Sequence, residues 1–353
     1  MAINLAQLCA DRPGTASHIH LNNAGSGLLS RATLQAIASQ FERDADLGQM
    51  EAGAKFDDGP LYASAARLLN AQPDEVAVVE SHTRGFGAVL GRLALHPGDR
   101  ILITRAEWIG NVIALTDLAQ RFAAKLEIMP VDAEGVTDVA AVAAVLDERV
   151  KLICITWMPA NGGLINPAAE LVALGRSIGA MTIVDAAQVV GQQPVDVKEI
   201  GCDVLTAPGR KFLCAPRGTG LLYVAKQALN RFAPAILDDW SGDLSGDGVT
   251  LRDDARRFEN PDMPPSLKAG LANAIEEAIA TDPVVVASRI SDLATRLRDG
   301  LAAITGATCR DLGRTKSGLV SLTIDGMSCA EIRNALTARG IAVGMNGRTY
   351  TPF

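Results

Sequence analysis

The sequence predicts an α/β protein whose large unit is built on a mostly parallel sheet covered by helices on both faces. Two observations predict it. Between about Glu75 and Val224 short β-rich runs alternate with helical stretches, the pattern of strands joined by crossover helices. The strand runs are also almost continuously apolar, as strands buried on both faces must be. With 353 residues, the chain exceeds one ordinary core, so more than one domain is expected.

The strands read in order are VAVVE, RILITRAE, LEIMPVD, KLICITW, TIVDAA, DVLTAP and GLLYV, a seven-stranded set. Between them TDLAQRFAAK, VAAVAAVLDE and AAELVALGRSIGA carry apolar residues at helical spacing. The segment Asp239 to Pro265, rich in Asp, Gly, Arg and Pro, breaks the alternation and is expected to be irregular and functional. A long helical pattern follows, DPVVVASRISDLATRLRDGLAAI, then a β run SGLVSLTID, a helix SCAEIRNALTARG and a last strand IAVGM. These make a small C-terminal α+β domain. The expected division is an N-terminal segment 1–30 near the site and the small domain, a large domain 31–265, and a small domain 266–353. The last residues, Arg348 to Phe353, begin a pairing that a further strand would complete, so the small domain is expected to be short or cut.

Composition narrows the function classes. The hydrophobic share of 48% and charged share of 21% suit a folded enzyme. A net charge of −7 without a basic stripe excludes a nucleic-acid partner. The N-terminus MAINLAQLCADRPG lacks a basic stretch followed by an apolar core, and no run of ~20 apolar residues offers a membrane span. A cytoplasmic protein without a membrane partner is expected. The six cysteines lack CxxC spacing and read as free thiols, and Cys154 sits inside an apolar strand. His18 and His20 alternate as on a strand, but no Cys or carboxylate completes a ligand set, so no metal is expected.

In open α/β sheets ligands sit beyond the carboxyl ends of the strands. Asp185 ends the run TIV-Asp, where a buried carboxylate is costly unless it meets a cation. Lys211 follows DVLTAP within Gly209-Arg210-Lys211-Phe212, a place shielded enough for a lysine to lose its proton and attack an aldehyde. Alone, Asp185 reads as a cap and Lys211 as a surface lysine. Together, with Arg210 able to hold a phosphate through its rigid fork, they read as a pyridoxal 5′-phosphate (PLP) site. Lys211 would hold the cofactor as a Schiff base, and Asp185 would face its ring nitrogen.

The ordered motifs resemble the class V aminotransferase-like PLP enzymes, which include cysteine desulfurases, isopenicillin N epimerase-like proteins and ergothioneine-pathway C–S lyases. The motifs are His20-Leu21-Asn22-Asn23-Ala24-Gly25, Glu107-Trp108, Asn161-Gly162-Gly163-Leu164-Ile165-Asn166-Pro167 and Val184-Asp185-Ala186-Ala187-Gln188. They continue with Gly209-Arg210-Lys211-Phe212, Pro216-Arg217-Gly218-Thr219-Gly220 and Arg257-Phe258-Glu259. The resemblance implies the type I PLP-dependent transferase fold. It makes Gln188 the neighbour of the ring hydroxyl, Trp108 the aromatic stacked on the cofactor face and Thr83 a phosphate ligand, with His82 beside it at a helix N-terminus. Asn23, Ala24 and Asn161 fall on the substrate side. The Arg257 segment approaches a neighbouring subunit's cofactor in such enzymes, which implies a homodimer.

The chain also departs from that pattern. Pro208 stands where a hydroxyl residue is common, and Trp157 and Pro159 stand where His or Asn occurs. The nucleophilic cysteine of desulfurases lies on the loop after the strand matched by IAVGM, and here that loop reads Asn346-Gly347-Arg348-Thr349-Tyr350. Persulfide transfer through a protein thiolate is therefore not expected, and Cys329 reads as packing. The arginine that receives the substrate carboxylate would lie beyond Phe353. Gly25-Ser26-Gly27 and Gly218-Thr219-Gly220 resemble pieces of a dinucleotide fingerprint, but neither opens a βαβ unit with the required acidic residue, which disfavours a dinucleotide-binding oxidoreductase. The expected activity is the transformation of a small amino acid. Transamination comes first on the family's name, with β-elimination at a C–S bond or epimerisation as alternatives.

Overall fold

The computed structural model describes residues 4–347 and 349–353. The first three residues of the N-terminal reading, and Arg348 of the last loop, lie outside the described residues. In chain order, β1 is Ile19–His20, β2 Val76–Val79, β3 Arg100–Ile103, β4 Lys125–Ile128, β5 Val150–Thr156, β6 Met181–Asp185, β7 Val204–Pro208 and β8 Gly220–Val224. The strands β2 to β8 are the seven runs read from the sequence. They form one sheet in the order β2-β8-β7-β6-β5-β3-β4. All neighbours are parallel except β8, which runs antiparallel to both β2 and β7.

The apolar continuity of the strands follows from burial on both faces. Every residue of β6, β7 and β8 is buried, and Ile153 and Ile155 of β5 are sealed in the core. Helices Ala168–Ser177 and Ile109–Phe122 cover the sheet, the former against β5 and β6. Because β2, β3, β5, β6 and β7 deliver their following loops to one edge, the residues after five strands meet there.

Asp239 to Pro265 is less irregular than expected. Strands β9, Gly242–Ser245, and β10, Gly248–Leu251, pair as a short antiparallel hairpin, and a 3₁₀ turn spans Ala255–Phe258. The two-residue tip Gly246-Asp247, with φ at +59° on Gly246, is the hairpin signal that the sequence reading passed over. That reading also passed over a helix at Pro265–Ala280. Its apolar face packs on helices Arg31–Leu47 and Gly59–Leu69.

Beyond it come helix Pro283–Ala302, an antiparallel pair of β11, Ala307–Cys309, and β12, Leu322–Ile324, then helix Cys329–Thr337 and β13, Ile341–Ala342. Ser328 and Glu331 form a capping box that starts the last helix. Strand β13 pairs in parallel with β1, which joins the start of the chain to its end. Among the described residues no helix is long and apolar enough to cross a membrane.

Candidate active site

The loops after β2, β3, β5, β6 and β7 surround an open cleft, whose empty space with the solvent at its mouth is about 520 Å³. Ser81, His82, Thr83, Trp108, Asp185, Gln188, Arg210 and Lys211 line it. The seven cofactor-side residues picked out from the sequence are therefore in one place. Asn23, Ala24 and Asn161 are not among the lining residues; they stand behind or beside it. The Ala24 carbonyl accepts from Gln188 Nε2 at 3.1 Å, and Asn161 Nδ2 donates to Thr351 Oγ1 at 2.8 Å.

Asp185 ends β6 and is 4% exposed. Its Oδ1 accepts from the Ala187 amide at 2.8 Å, so Asp185 also caps the turn that follows it. Its Oδ2 accepts from Asn111 Nδ2 at 2.9 Å, and His82 Nε2 lies 3.2 Å from the same oxygen. His82 and Thr83 are the first residues of helix His82–Leu90, which Ser81 caps by accepting from the Arg84 amide at 3.2 Å. Ser81, His82 and Thr83 at this helix start all line the cleft, and a helix N-terminus is a favourable seat for an anion.

Lys211 follows β7, with Nζ 5.9 Å from the centre of the Trp108 ring. Burial lowers its ammonium pKa from the ordinary 10.5 to about 8, against the opposing pull of Asp185 and with help from Arg210. The turn that carries it is held from behind by the N-terminal segment. Gly27 N donates to Arg210 O at 2.8 Å, and a Cβ on Gly27 would stand 2.6 Å from Lys211 O and collide with Cys214 Sγ. The Gly25–Gly27 stretch thus serves close backbone approach, not a dinucleotide turn. Arg210 donates to the Gly25 carbonyl, and burial lowers its pKa.

Trp108 precedes helix Ile109–Phe122. Its ring stacks on Tyr350 with centroids 5.5 Å apart and planes 16° off parallel, while Ile109 N donates to Tyr350 O at 2.8 Å. Sequence reasoning gave Tyr350 no role. It also missed the buried set around Glu107. Glu107 accepts from Thr104 Oγ1 at 2.9 Å, from Asn111 Nδ2 at 2.9 Å and from its neighbour's amide, Trp108 N, at 3.1 Å, and it is bonded to Thr156 Oγ1. Burial, then the charge of Asp185, push its carboxyl up to about 7. A usable signal was present: Glu107 stands just before helix Ile109–Phe122 and Asn111 in its first turn, and Thr104 and Thr156 stand at the ends of adjacent strands.

Trp157 and Pro159, which depart from the family's pattern, belong to a loop tied to the ends of β5 and β6. Asn166 Nδ2 donates to Thr156 O at 2.7 Å, and Trp157 N donates to Asp185 O at 3.0 Å. His18 and His20 sit edge to face at 5.6 Å, and among the described residues no group of three or more His, Cys, Asp or Glu side chains is placed to hold a metal ion.

The sequence profile of the family Aminotransferase class-V matches residues 19–352. The chain belongs to that family. This class-V protein is 30% identical to a cysteine desulfurase of Pectobacterium atrosepticum over 205 residues, 55% of this chain and 49% of that protein. It is 24% identical to a probable cysteine desulfurase of Methanothermobacter thermautotrophicus over 334 residues, 92% of this chain and 83% of the relative. The match thus spans about half the length of the first relative and most of the second. Among solved structures, a C-DES variant with glycine covalently linked to its PLP cofactor superposes with a TM-score of 0.89 at 24% identity, covering 97% of this chain and 92% of that one. The cystine C–S lyase C-DES with its product cysteine persulfide gives 0.87 at 24% identity, covering 96% and 92%. At that identity the likeness shows a shared fold, the type I fold expected from the motifs.

The class-V family is PLP-dependent, and the cleft fits the cofactor on its own chemistry. It joins a lysine with a lowered pKa, a buried carboxylate, a flat aromatic and a helix N-terminus. Gln188 Oε1 and His82 Nδ1 are buried at its wall with no partner in the protein, as expected of groups that face a polar ligand.

Proposed function

We propose that this class-V enzyme is a PLP-dependent lyase that cleaves the Cβ–S bond of a small sulfur-containing amino acid, giving pyruvate, ammonia and a thiol or persulfide. The observation that carries it is a cleft that unites Lys211, Asp185 and Trp108 while no cysteine lines it. The desulfurases and the cystine C–S lyase among its relatives support chemistry at a C–S bond. The expectation of transamination rests on the family's name alone.

When bound, PLP supplies an electron sink for the charge left at the substrate Cα. Lys211 would hold the cofactor and, freed by substrate, would take the Cα proton, a role suited to an amine whose ammonium burial already destabilises. Asp185, fixed from two sides, would meet the ring nitrogen. Trp108, stacked on Tyr350, would lie against the ring. Thr83, the helix N-terminus and Arg210 would hold the phosphate, Gln188 would meet the ring hydroxyl, and Asn23, Ala24 and Asn161 would stand on the substrate side. The leaving sulfur departs with the Cβ–S bonding electrons and collects a proton, and the enamine left behind takes up water to give pyruvate and ammonia, so the balance needs no protein thiolate. Cys214 lies behind the Lys211 turn, and Cys329 is on the exposed start of helix Cys329–Thr337.

A homodimer belongs to the same reading. Arg257 is 5% exposed with two side-chain nitrogens unpartnered, and Met50, Ile236 and Leu244 expose large apolar side chains.

The test is to incubate the loaded enzyme with L-cystine, L-cysteine and other amino acids, following pyruvate, alanine, sulfide and the cofactor spectrum together. Pyruvate with a released thiol or persulfide supports the lyase. Alanine with a protein persulfide, or a pyridoxamine form reversed by a 2-oxo acid, overturns it.

A further inference from the structure

Behind Asp185 the chain places a second buried carboxylate that the chemistry above does not use. Glu107 is 1% exposed and lies just beyond β3, so it reaches under the cleft from the side of the sheet next to β5. One side-chain amide joins the two acids. Asn111 Nδ2 sits 2.9 Å from Glu107 Oε1 and 2.9 Å from Asp185 Oδ2, while Asn111 Oδ1 faces His82 Nε2 at 2.9 Å.

An amide nitrogen has two hydrogens and no lone pair to offer, and a carboxylate oxygen only accepts. Glu107 and Asp185 therefore fix which way the Asn111 amide faces. Its oxygen is left for His82, which must carry its proton on Nε2 to meet it. The other ring nitrogen, His82 Nδ1, has no protein partner.

Thr104 adds a sign to the arrangement. Its Oγ1 accepts from the Thr156 amide at 3.1 Å and lies 2.9 Å from Glu107 Oε2, the one acceptor recorded for its hydroxyl proton. Glu107 is thus built to receive hydrogen bonds, in a place where burial and Asp185 raise its pKa to about 7. The charge that acts on it is that of Asp185 from β6, and Cys154 of β5 lies close enough to feel Glu107; His82 of helix His82–Leu90 and Lys211 of the turn after β7 interact with Asp185 in turn.

We propose that Glu107 is a positioning residue which, through the Asn111 amide, sets both the orientation of Asp185 and the proton affinity of the cofactor that Asp185 faces. The proposal rests on the PLP reading. A negative Glu107 raises the proton affinity of the bound cofactor by charge alone, and the orientation it imposes on Asn111 keeps an N–H on Asp185 Oδ2 instead of a repelling oxygen. Loss of Glu107 removes both effects, so the cofactor releases its proton at lower pH.

The experiment compares wild type with Glu107→Gln, Asn111→Leu and the double variant, each loaded with PLP. The readouts are the pH midpoint of the visible absorbance change, the affinity for PLP and the unfolding temperature of the unloaded protein. Glu107→Gln is expected to lower the spectral midpoint, a drop in proton affinity of roughly tenfold for one neutralised neighbour. Asn111→Leu should move it the same way, and the double variant should move it no further than the larger single change, because loss of Glu107 already removes what the Asn111 bridge transmits. Should Glu107→Gln not fold, Thr104→Val removes one hydrogen bond to Glu107 and should give a smaller shift of the same sign. An unchanged midpoint with only a lowered unfolding temperature, or fully additive shifts, overturns the proposal. A wild type without any visible cofactor band would instead defeat the PLP reading beneath it.

Discussion

Lys211 gives a prediction whose size follows from its surroundings. In the unloaded protein its ammonium sits in the cleft wall with a pKa of about 8, while an unfolded chain gives it the ordinary 10.5. Between those values the unfolded state binds more protons, so this group's contribution to stability rises with pH from about 8 to 10.5. Below pH 8 its penalty is complete. The difference converts to about 3 kcal/mol, and water in the open cleft reduces it, so about 1–3 kcal/mol is expected. Lys211→Met keeps the length of the side chain and removes the charge. The unloaded variant should therefore be more stable than unloaded wild type at pH 7 by that amount, with the gap closing as pH rises past 8 toward 10. Urea unfolding of both proteins over pH 6.5 to 10 measures it. A variant no more stable than wild type at pH 7, or a gap that does not narrow with pH, refutes the claim that Lys211 is a desolvated amine.

Three further outcomes follow from the same geometry. Asp185→Asn should keep the cofactor attached but lower turnover by about two orders of magnitude, the scale of a lost charge at a preorganised site; near-normal turnover would remove Asp185 from its assigned place. Gly27→Ala puts a Cβ 2.6 Å from Lys211 O, so it should displace the Lys211 turn and weaken PLP binding, measured by cofactor fluorescence, and unchanged affinity would contradict the supporting role given to the N-terminal segment. Mass measurement in solution should find two copies per particle, and Leu244→Asp on the exposed hairpin should weaken that association; a fully active monomer would refute the dimer.

The central sheet strands were legible because burial on both faces leaves them as apolar runs, while the edge strand Lys125–Ile128 is partly exposed; the cleft was legible because Asp185 and Lys211 each stand at or just past such a run. The hairpin Gly242–Leu251 was not, since Leu244 and Val249 are exposed on it and no core alternation marks it. Helix Pro265–Ala280 was missed at its proline-rich start, although Pro265 occupies the first helical turn, where a proline is tolerated. The site's polar support escaped for a different reason. Glu107 was visible as part of a motif, but its bond to Thr156 crosses between strands, and the contact of Asn111 with Asp185 spans 74 positions. Such pairs are set by strand order, which a single sequence leaves open.

The attachment of PLP to Lys211 is the claim on which the rest stands, and borohydride trapping tests it most directly. Reducing the loaded enzyme, digesting it and weighing the peptides should place the phosphopyridoxyl group on the Gly209–Phe212 peptide, and Lys211→Met should carry none. Label on a different lysine, or a reduced wild type without label, would contradict the account.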